Sequence, residues 1–137
     1  MADSDAVLFA NEAFYLAFAQ GDIRGMADVW ADAESISCIH PGWDALHGRD
    51  AVMESWDRIL AGGNPAIRCL GARAYVGGDS AYVICYEEID GNYLIATNLF
   101  VRDGSRWRMV HHQAGPTQGR PPQDEEAGSE PGQNRPN

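Results

Sequence analysis

A chain of 137 residues with 45% hydrophobic side chains is sized for one domain with a real core. Its 20 acids stand against 10 Arg and no Lys, a net charge of −10. Such a surface repels phosphate backbones and anionic lipid, which argues against nucleic acid and membrane partners.

Asp3 and Asp5 stand where a secretory leader carries Lys or Arg, and no apolar run approaches ~18 residues, so the expected location is cytoplasmic. Cys38, Cys69 and Cys85 are odd in number, form no C-x-x-C pair and lie in strand-like runs. They read as small buried hydrophobes kept reduced.

Ser4 to Gln20 reads as a helix, with Ser4 as cap, Asp3 and Asp5 at its positive end and Gly21 as stop. Val7, Phe9, Phe14, Leu16 and Phe18 point in nearly every direction, which predicts a helix wedged between a sheet and another helix. Tyr15 belongs to that core, with a hydroxyl able to reach a cavity. Asp22 caps a short helix to Trp30, with Met26, Val29 and Trp30 inward. A strand from Glu34 to Ile39 then delivers His40-Pro41-Gly42-Trp43. Proline cannot continue a ladder and glycine permits positive φ, so the strand stops and turns there. An imidazole and an indole at a strand end suit a pocket mouth; the plainer reading is two side chains capping the sheet. After the loop Leu46–Arg49, Asp50 caps a third helix to Leu60, with Val52, Trp56, Ile59 and Leu60 at helical spacing. Gly62-Gly63-Asn64-Pro65 ends it.

The period then becomes twofold. Ile67–Tyr75, Ser80–Glu88, Tyr93–Arg102 and Arg106–Gln113 read as strands joined by glycine-bearing turns, hence as an antiparallel meander. This order predicts an α+β fold, with three helices on one face of a curved antiparallel sheet. Tyr82, Ile84 and Tyr86 on one face and Val83 and Cys85 on the other leave no polar side. The face without helices is expected to meet a second copy in a homodimer. Past Ala114 the chain turns to Pro, Gly and acids, so residues 1–114 form the domain and 115–137 a disordered tail.

Polar groups inside apolar strands carry the functional signal: Glu87, Glu88, Asn98, His111, His112 and Gln113. Alternation sends Glu87 and Glu88, and likewise His111 and His112, to opposite faces; parity alone does not say which member faces the helices. Inward members meeting His40 would give two imidazoles and a carboxylate in an apolar cavity, the setting general acid–base catalysis needs. The bland alternative is a set of satisfied hydrogen-bonding partners. A buried Asn98 amide needs partners, either a neighbouring strand or a ligand. A metal on His40, His112 and Asp44 or Glu87 has no supporting spacing, and no phosphate loop, dinucleotide fingerprint or serine elbow is present, so neither metal nor cofactor is expected.

Several of these segments together resemble a known family: Phe18-Ala19-Gln20-Gly21-Asp22, His40-Pro41-Gly42-Trp43, Gly48-Arg49-Asp50-Ala51-Val52 with Trp56, Thr97-Asn98-Leu99-Phe100-Val101 and Trp107-Arg108-Met109-Val110-His111-His112. Over roughly residues 5–114 the chain resembles the SnoaL-like branch of the nuclear-transport-factor-2-like, or ketosteroid-isomerase-like, superfamily. The resemblance implies a cone-shaped, cystatin-like sheet around helices, an apolar pocket and dimerisation through the sheet. Its members include isomerases, dehydratases and cyclases as well as non-catalytic adaptors, so fold does not decide function. Steroid isomerases pair a carboxylate base with a tyrosine and a protonated aspartic acid. No Asp lies inside these strands to match them.

The leading expectation is a pocket for a small apolar molecule, with His40, His112 and Glu87 as acid–base groups. Trp30, Trp43 and Trp56 would wall it, and Asn98 and Tyr15 would contact the ligand. The rival is a non-catalytic ligand-binding or dimerisation module of the same fold. An open cavity above ~300 Å³ with converging His and Asn favours the first; one closed by Trp43 and Trp56 favours the second.

Overall fold

The computed structural model describes residues 2–63 and 66–122. Helices α1 (Asp3–Gln20) and α2 (Ile23–Val29) precede two short strands, β1 (Ser37–Ile39) and β2 (Leu46–His47). Helix α3 (Arg49–Ala61) follows, then β3 (Ile67–Gly77), β4 (Ser80–Ile89), β5 (Asn92–Asp103) and β6 (Arg106–Pro116). Among the described residues the strands form one sheet in the order β2-β1-β6-β5-β4-β3. The α+β order and the meander are as expected, but the sheet is mixed: β1 runs parallel to β6, with Cys38 opposite His112. The two strands are far apart in sequence, so no hairpin forces them antiparallel.

The ends of the elements depart from the sequence reading for local reasons. Helix α1 starts at Asp3 on Ala2, and Ser4, already inside the first turn, caps nothing. Asp22 does cap α2, accepting the Gly25 N–H at 3.0 Å. Helix α3 starts ahead of Asp50, with Gly48 at φ 89° as its N-cap. Strand β1 is shorter than Glu34–Ile39, and part of the expected loop pairs with it as β2, Cys38 opposite Leu46. Strand β6 passes the boundary expected at Ala114, because Gly115 and Pro116 pair with Ile95 and Leu94. The remainder of the expected tail, from residue 123, and Asn64-Pro65 lie outside the described residues.

Helix α1 packs on α2 and on β3, β4 and β6. Val7, Phe14, Tyr15 and Ala17 enter the core there, with Trp30, Trp56, Phe100 and Met109. It is wedged between the sheet and another helix as expected, but its remaining side stays uncovered: Phe9 is 70% and Leu16 58% exposed. Among the described residues no helix is long and apolar enough to cross a membrane.

Strand alternation decides which polar groups turn inward. Along β4, Ala81, Val83, Cys85 and Glu87 face the helices and Tyr82 and Ile84 face out. In β6 the inward set changes parity, from Trp107 and Met109 to His112 and Ala114. The cause is a bulge: Leu99 pairs with His111 but Phe100 with Met109, leaving Val110 as the extra residue.

Arg49, the arginine of the Gly48-Arg49-Asp50 segment, ties α3 to the end of α2. Its guanidinium donates to Ala27 O and Ala31 O at 2.9 Å and to Trp30 O at 3.2 Å. These carbonyls sit at a helix C-terminus, where a cation is favoured. Arg49→Ala leaves them without a donor in a half-buried place and is expected to cost about 2–3 kcal/mol in urea unfolding. Arg49→Lys should recover only part, since one ammonium cannot reproduce the planar fork.

Candidate functional site

The inward polar groups meet in one buried cluster. Asn98 on β5 is the register partner of His112 on β6 and Val83 on β4. Its Oδ1 accepts from His112 Nδ1 at 2.6 Å, and its Nδ2 donates to Asn11 Oδ1 at 2.8 Å and to the Tyr15 hydroxyl at 3.2 Å. Tyr15 in turn donates to Glu87 Oε2 at 2.6 Å. Asn11, Tyr15, Glu87, Asn98 and His112 are all buried. The oddest strand residue of the sequence, Asn98, is thus the hub where three elements join.

His40 lies beside this cluster but belongs to a separate set of bonds. The turn after it has Pro41 and Gly42 at its centre, with Gly42 at φ 83° and the Trp43 N–H returning to His40 O at 2.9 Å. That is the geometry a type II turn requires of its two central residues. The ring folds inward, with Nε2 at 2.9 Å from Ser55 Oγ, and Ser55 donates its own proton to Val52 O at 2.7 Å. His40 therefore carries its proton on Nε2. Trp56 and Trp43 each lie 4.8 Å from the His40 ring between centroids. Trp56 is fully buried, whereas Trp43 is 43% exposed, covering the imidazole from outside rather than walling the interior. Trp30 is fully buried and bridges to Met109 at the α2 end. The indole nitrogens of Trp30 and Trp56 are buried with no acceptor among the described residues.

Burial sets the charges. It raises the Glu87 carboxyl from 4.5 to about 7, against the lowering effect of the Tyr15 hydrogen bond. It lowers His40 to about 4, and it lowers His112 to about 3 with help from the nearby His40 and His111. Tyr15 is raised, first by burial and then by the Glu87 charge. Both imidazoles are consequently neutral at pH 7. The 3.8 Å approach of His112 Nε2 to Glu87 Oε2 is neither an ion pair nor a hydrogen bond. Within the buried cluster the carboxyl is thus raised toward neutrality, while the imidazoles of His40 and His112 are lowered away from it.

The outward members of each ambiguous pair have surface roles. Glu88 accepts from Arg68 Nε at 2.6 Å, and half-buried His111 meets Ser37 Oγ at 2.7 Å. Among the described residues no three His, Cys, Asp or Glu side chains converge as metal ligands.

Sequence reasoning missed Asn11 and Ser55. Both break an apolar helical face: Asn11 stands between Val7 and Tyr15, and Ser55 between Val52 and Trp56. A polar residue at such spacing was the available signal.

Phe14, Trp56, His40 and His112 pack ring against ring, and their side chains fill the interior between the histidines. Open space lies elsewhere. A cleft of about 670 Å³ runs between α1 and β3, with Leu8, Phe9, Leu16 and Ile67 on its sides. Asn11, Tyr15 and Cys69 also line it, so the cleft reaches the edge of the buried cluster.

The comparisons agree with this architecture. The family model for the SnoaL-like domain matches residues 7–117. The chain belongs to the SnoaL-like domain family. A proposed dehydratase of the NTF2-like family from Streptomyces avermitilis is 34% identical, with a TM-score of 0.75 over 85% of this chain and 97% of that one. A proposed calcium/calmodulin-dependent protein kinase type II association domain from Thiobacillus denitrificans is 33% identical, with a TM-score of 0.73 over 80% and 93%. The F-box protein SKIP8 of Arabidopsis thaliana is 26% identical over 118 residues, 82% of this chain and 50% of that protein. This SnoaL-like chain thus spans about half the length of the curated relative it matches.

The shifts make a signed prediction. Glu87 holds its proton more tightly folded than unfolded, so its contribution to stability is full below about 4.5 and is lost as pH rises through about 7. The histidines act oppositely: their depressed values cost stability as pH falls below 6.5 towards 4 and 3. In urea unfolding across pH 4.5 to 7, Glu87→Gln should gain on the wild type as pH rises, by on the order of 3 kcal/mol. A difference that stays flat over this window contradicts the raised carboxyl.

Proposed function

We propose that this SnoaL-like domain binds a small, largely apolar molecule in the α1–β3 cleft and presents it to the Tyr15–Glu87 pair. The observation that carries the reading is that the cleft ends on Tyr15 and Asn11, the outermost members of the network holding a carboxyl at about 7. The walls supply apolar contact, and the polar end supplies orientation. A carboxyl poised near neutrality both takes and returns a proton, so the chemistry that fits is cofactor-independent proton transfer or elimination. Glu87 is the acid–base group in this reading, with Tyr15 holding it at the end of the cleft. The dehydratase name of the Streptomyces relative points the same way. His40 and His112 shape the neutral wall behind Glu87.

The test is a thermal-shift screen of neutral apolar compounds at pH 7. A ligand at a hundred times its dissociation constant stabilises the native state by about 2.7 kcal/mol. The shift should vanish in Ala72→Phe, which fills the cleft, and shrink in Tyr15→Phe. Glu87→Gln should keep binding and lose any turnover, and wild-type turnover should rise with pH through about 7 as the carboxylate forms. A ligand that stabilises Ala72→Phe equally binds elsewhere and removes the reading.

A second reading, an association module, is favoured by the outer sheet face. Tyr75 and Tyr82 stack there at 4.8 Å, and with Ile84 and Leu99 they leave an apolar surface exposed. The Thiobacillus relative carries an association-domain name. In this reading the face pairs with a second copy, and it is compatible with a working cleft because the two lie on opposite sides of the sheet. Light scattering should then give twice the 14.9 kDa chain mass for the wild type and the single mass for Tyr82→Glu with Ile84→Glu. A monomeric wild type contradicts it.

A further inference from the structure

We propose that Cys69 and Cys85 are a redox pair that closes to a disulfide when a hydroperoxide reaches the α1–β3 cleft. The two sit on the inner face of neighbouring strands, Cys69 opposite Glu87 and Cys85 two residues before it. Both side chains turn into one cluster: Asn11 lies against the Cys69 sulfur, and Asn98, itself bonded to Asn11, lies against the Cys85 sulfur. The third cysteine, Cys38, lies across the sheet on β1 and has no such neighbour in sulfur.

Three features separate this pair from two inert core thiols. First, access: Cys69 is half-buried and lines the cleft, while Cys85 lies fully buried behind it. Second, the sulfurs sit among polar groups. Asn11 Nδ2 approaches Cys69 Sγ at 3.6 Å, the Tyr15 hydroxyl lies 3.3 Å from Cys85 Sγ, and Asn98 Nδ2 reaches it at 3.9 Å. The polar contacts around it, first that with Cys69, hold Cys85 below the ordinary thiol value against its burial, whereas Cys69 is raised. Third, the backbone can adjust. A bulge between Leu70 and Arg73 places Gly71 and Ala72 opposite Cys85, with Gly71 at φ 64°. Diagonal partners in a regular ladder stand too far apart for a disulfide, and a bulge is where a strand takes up the difference.

The chemistry balances with a hydroperoxide as the sole oxidant. The Cys69 sulfur attacks one peroxide oxygen as the thiol proton passes to the other. The O–O bond breaks, leaving a sulfenic acid on Cys69 and releasing water from hydrogen peroxide or an alcohol from an organic hydroperoxide. Cys85 sulfur then attacks Cys69 sulfur, the S–O bond breaks, and the departing hydroxide takes the Cys85 proton to leave as water. Two electrons pass from the sulfur pair to the peroxide. The bond would draw Cys85 away from Tyr15, one of its present partners.

The experiment treats the full chain with hydrogen peroxide and then alkylates it under denaturing conditions before mass analysis. The expected result is loss of two of the three thiols, a mass lower by two hydrogens, and a Cys69–Cys85 linked peptide reversed by dithiothreitol. Cys85→Ser should leave Cys69 as a sulfenic acid trapped by dimedone, and Cys38→Ser should behave as wild type. Unchanged thiols, a chain-to-chain disulfide through Cys69, or the same product in Cys85→Ser each overturns the proposal.

Discussion

A carboxyl group inside an apolar fold must find donors or give up its charge, and the Glu87 side chain does some of each. Its one firm donor is Tyr15, at 2.6 Å, and burial keeps its proton bound up to about 7. Everything else in the cluster serves this contact. Asn98 donates to the Tyr15 oxygen and so leaves the phenol proton free to point at Glu87, and Asn11 and His112 hold the Asn98 amide from its two ends. The chain of bonds crosses from α1 to β4, β5 and β6. It is the means by which the long helix is oriented on the sheet, because an amide or hydroxyl moved out of register here would be left unpaired.

Much of this was legible in the residues. The change from helical to twofold period placed the meander. The Pro41-Gly42 pair placed the turn after His40. Alternation put Glu87 on one face of β4 with Val83 and Cys85, but both faces are apolar, and only the packing shows that this is the helix side. His112 was not legible in the same way. Strict alternation from Trp107 and Met109 sends His111 inward, and only the extra residue Val110 reverses it. A bulge is a tertiary accommodation with no composition of its own, so parity arguments end where one begins. The protonation of the histidines was not legible either. An imidazole looks poised near neutrality in a sequence, but burial without a carboxylate partner at bonding distance drives it to the neutral form.

The two sides of the sheet divide the possible work. The helix side holds the ionisable cluster and, beyond it, a cleft bounded by α1 and β3 whose end is made by members of the cluster. The outer side carries stacked tyrosines and exposed aliphatic residues without an ionisable cluster. The two proposed roles thus draw on separate residues. A family that includes both dehydratase-named and association-named relatives is what such a division permits.

The most direct measurement is the titration of the Glu87 carboxyl itself, by carbon NMR on glutamate-labelled protein with Glu87→Gln to assign the signal. A midpoint near 7, moving when Tyr15 is changed to Phe, is what the buried pair predicts. A midpoint at the ordinary 4.5 would mean that the carboxyl is hydrated, and that the cluster is not the buried acid–base site described.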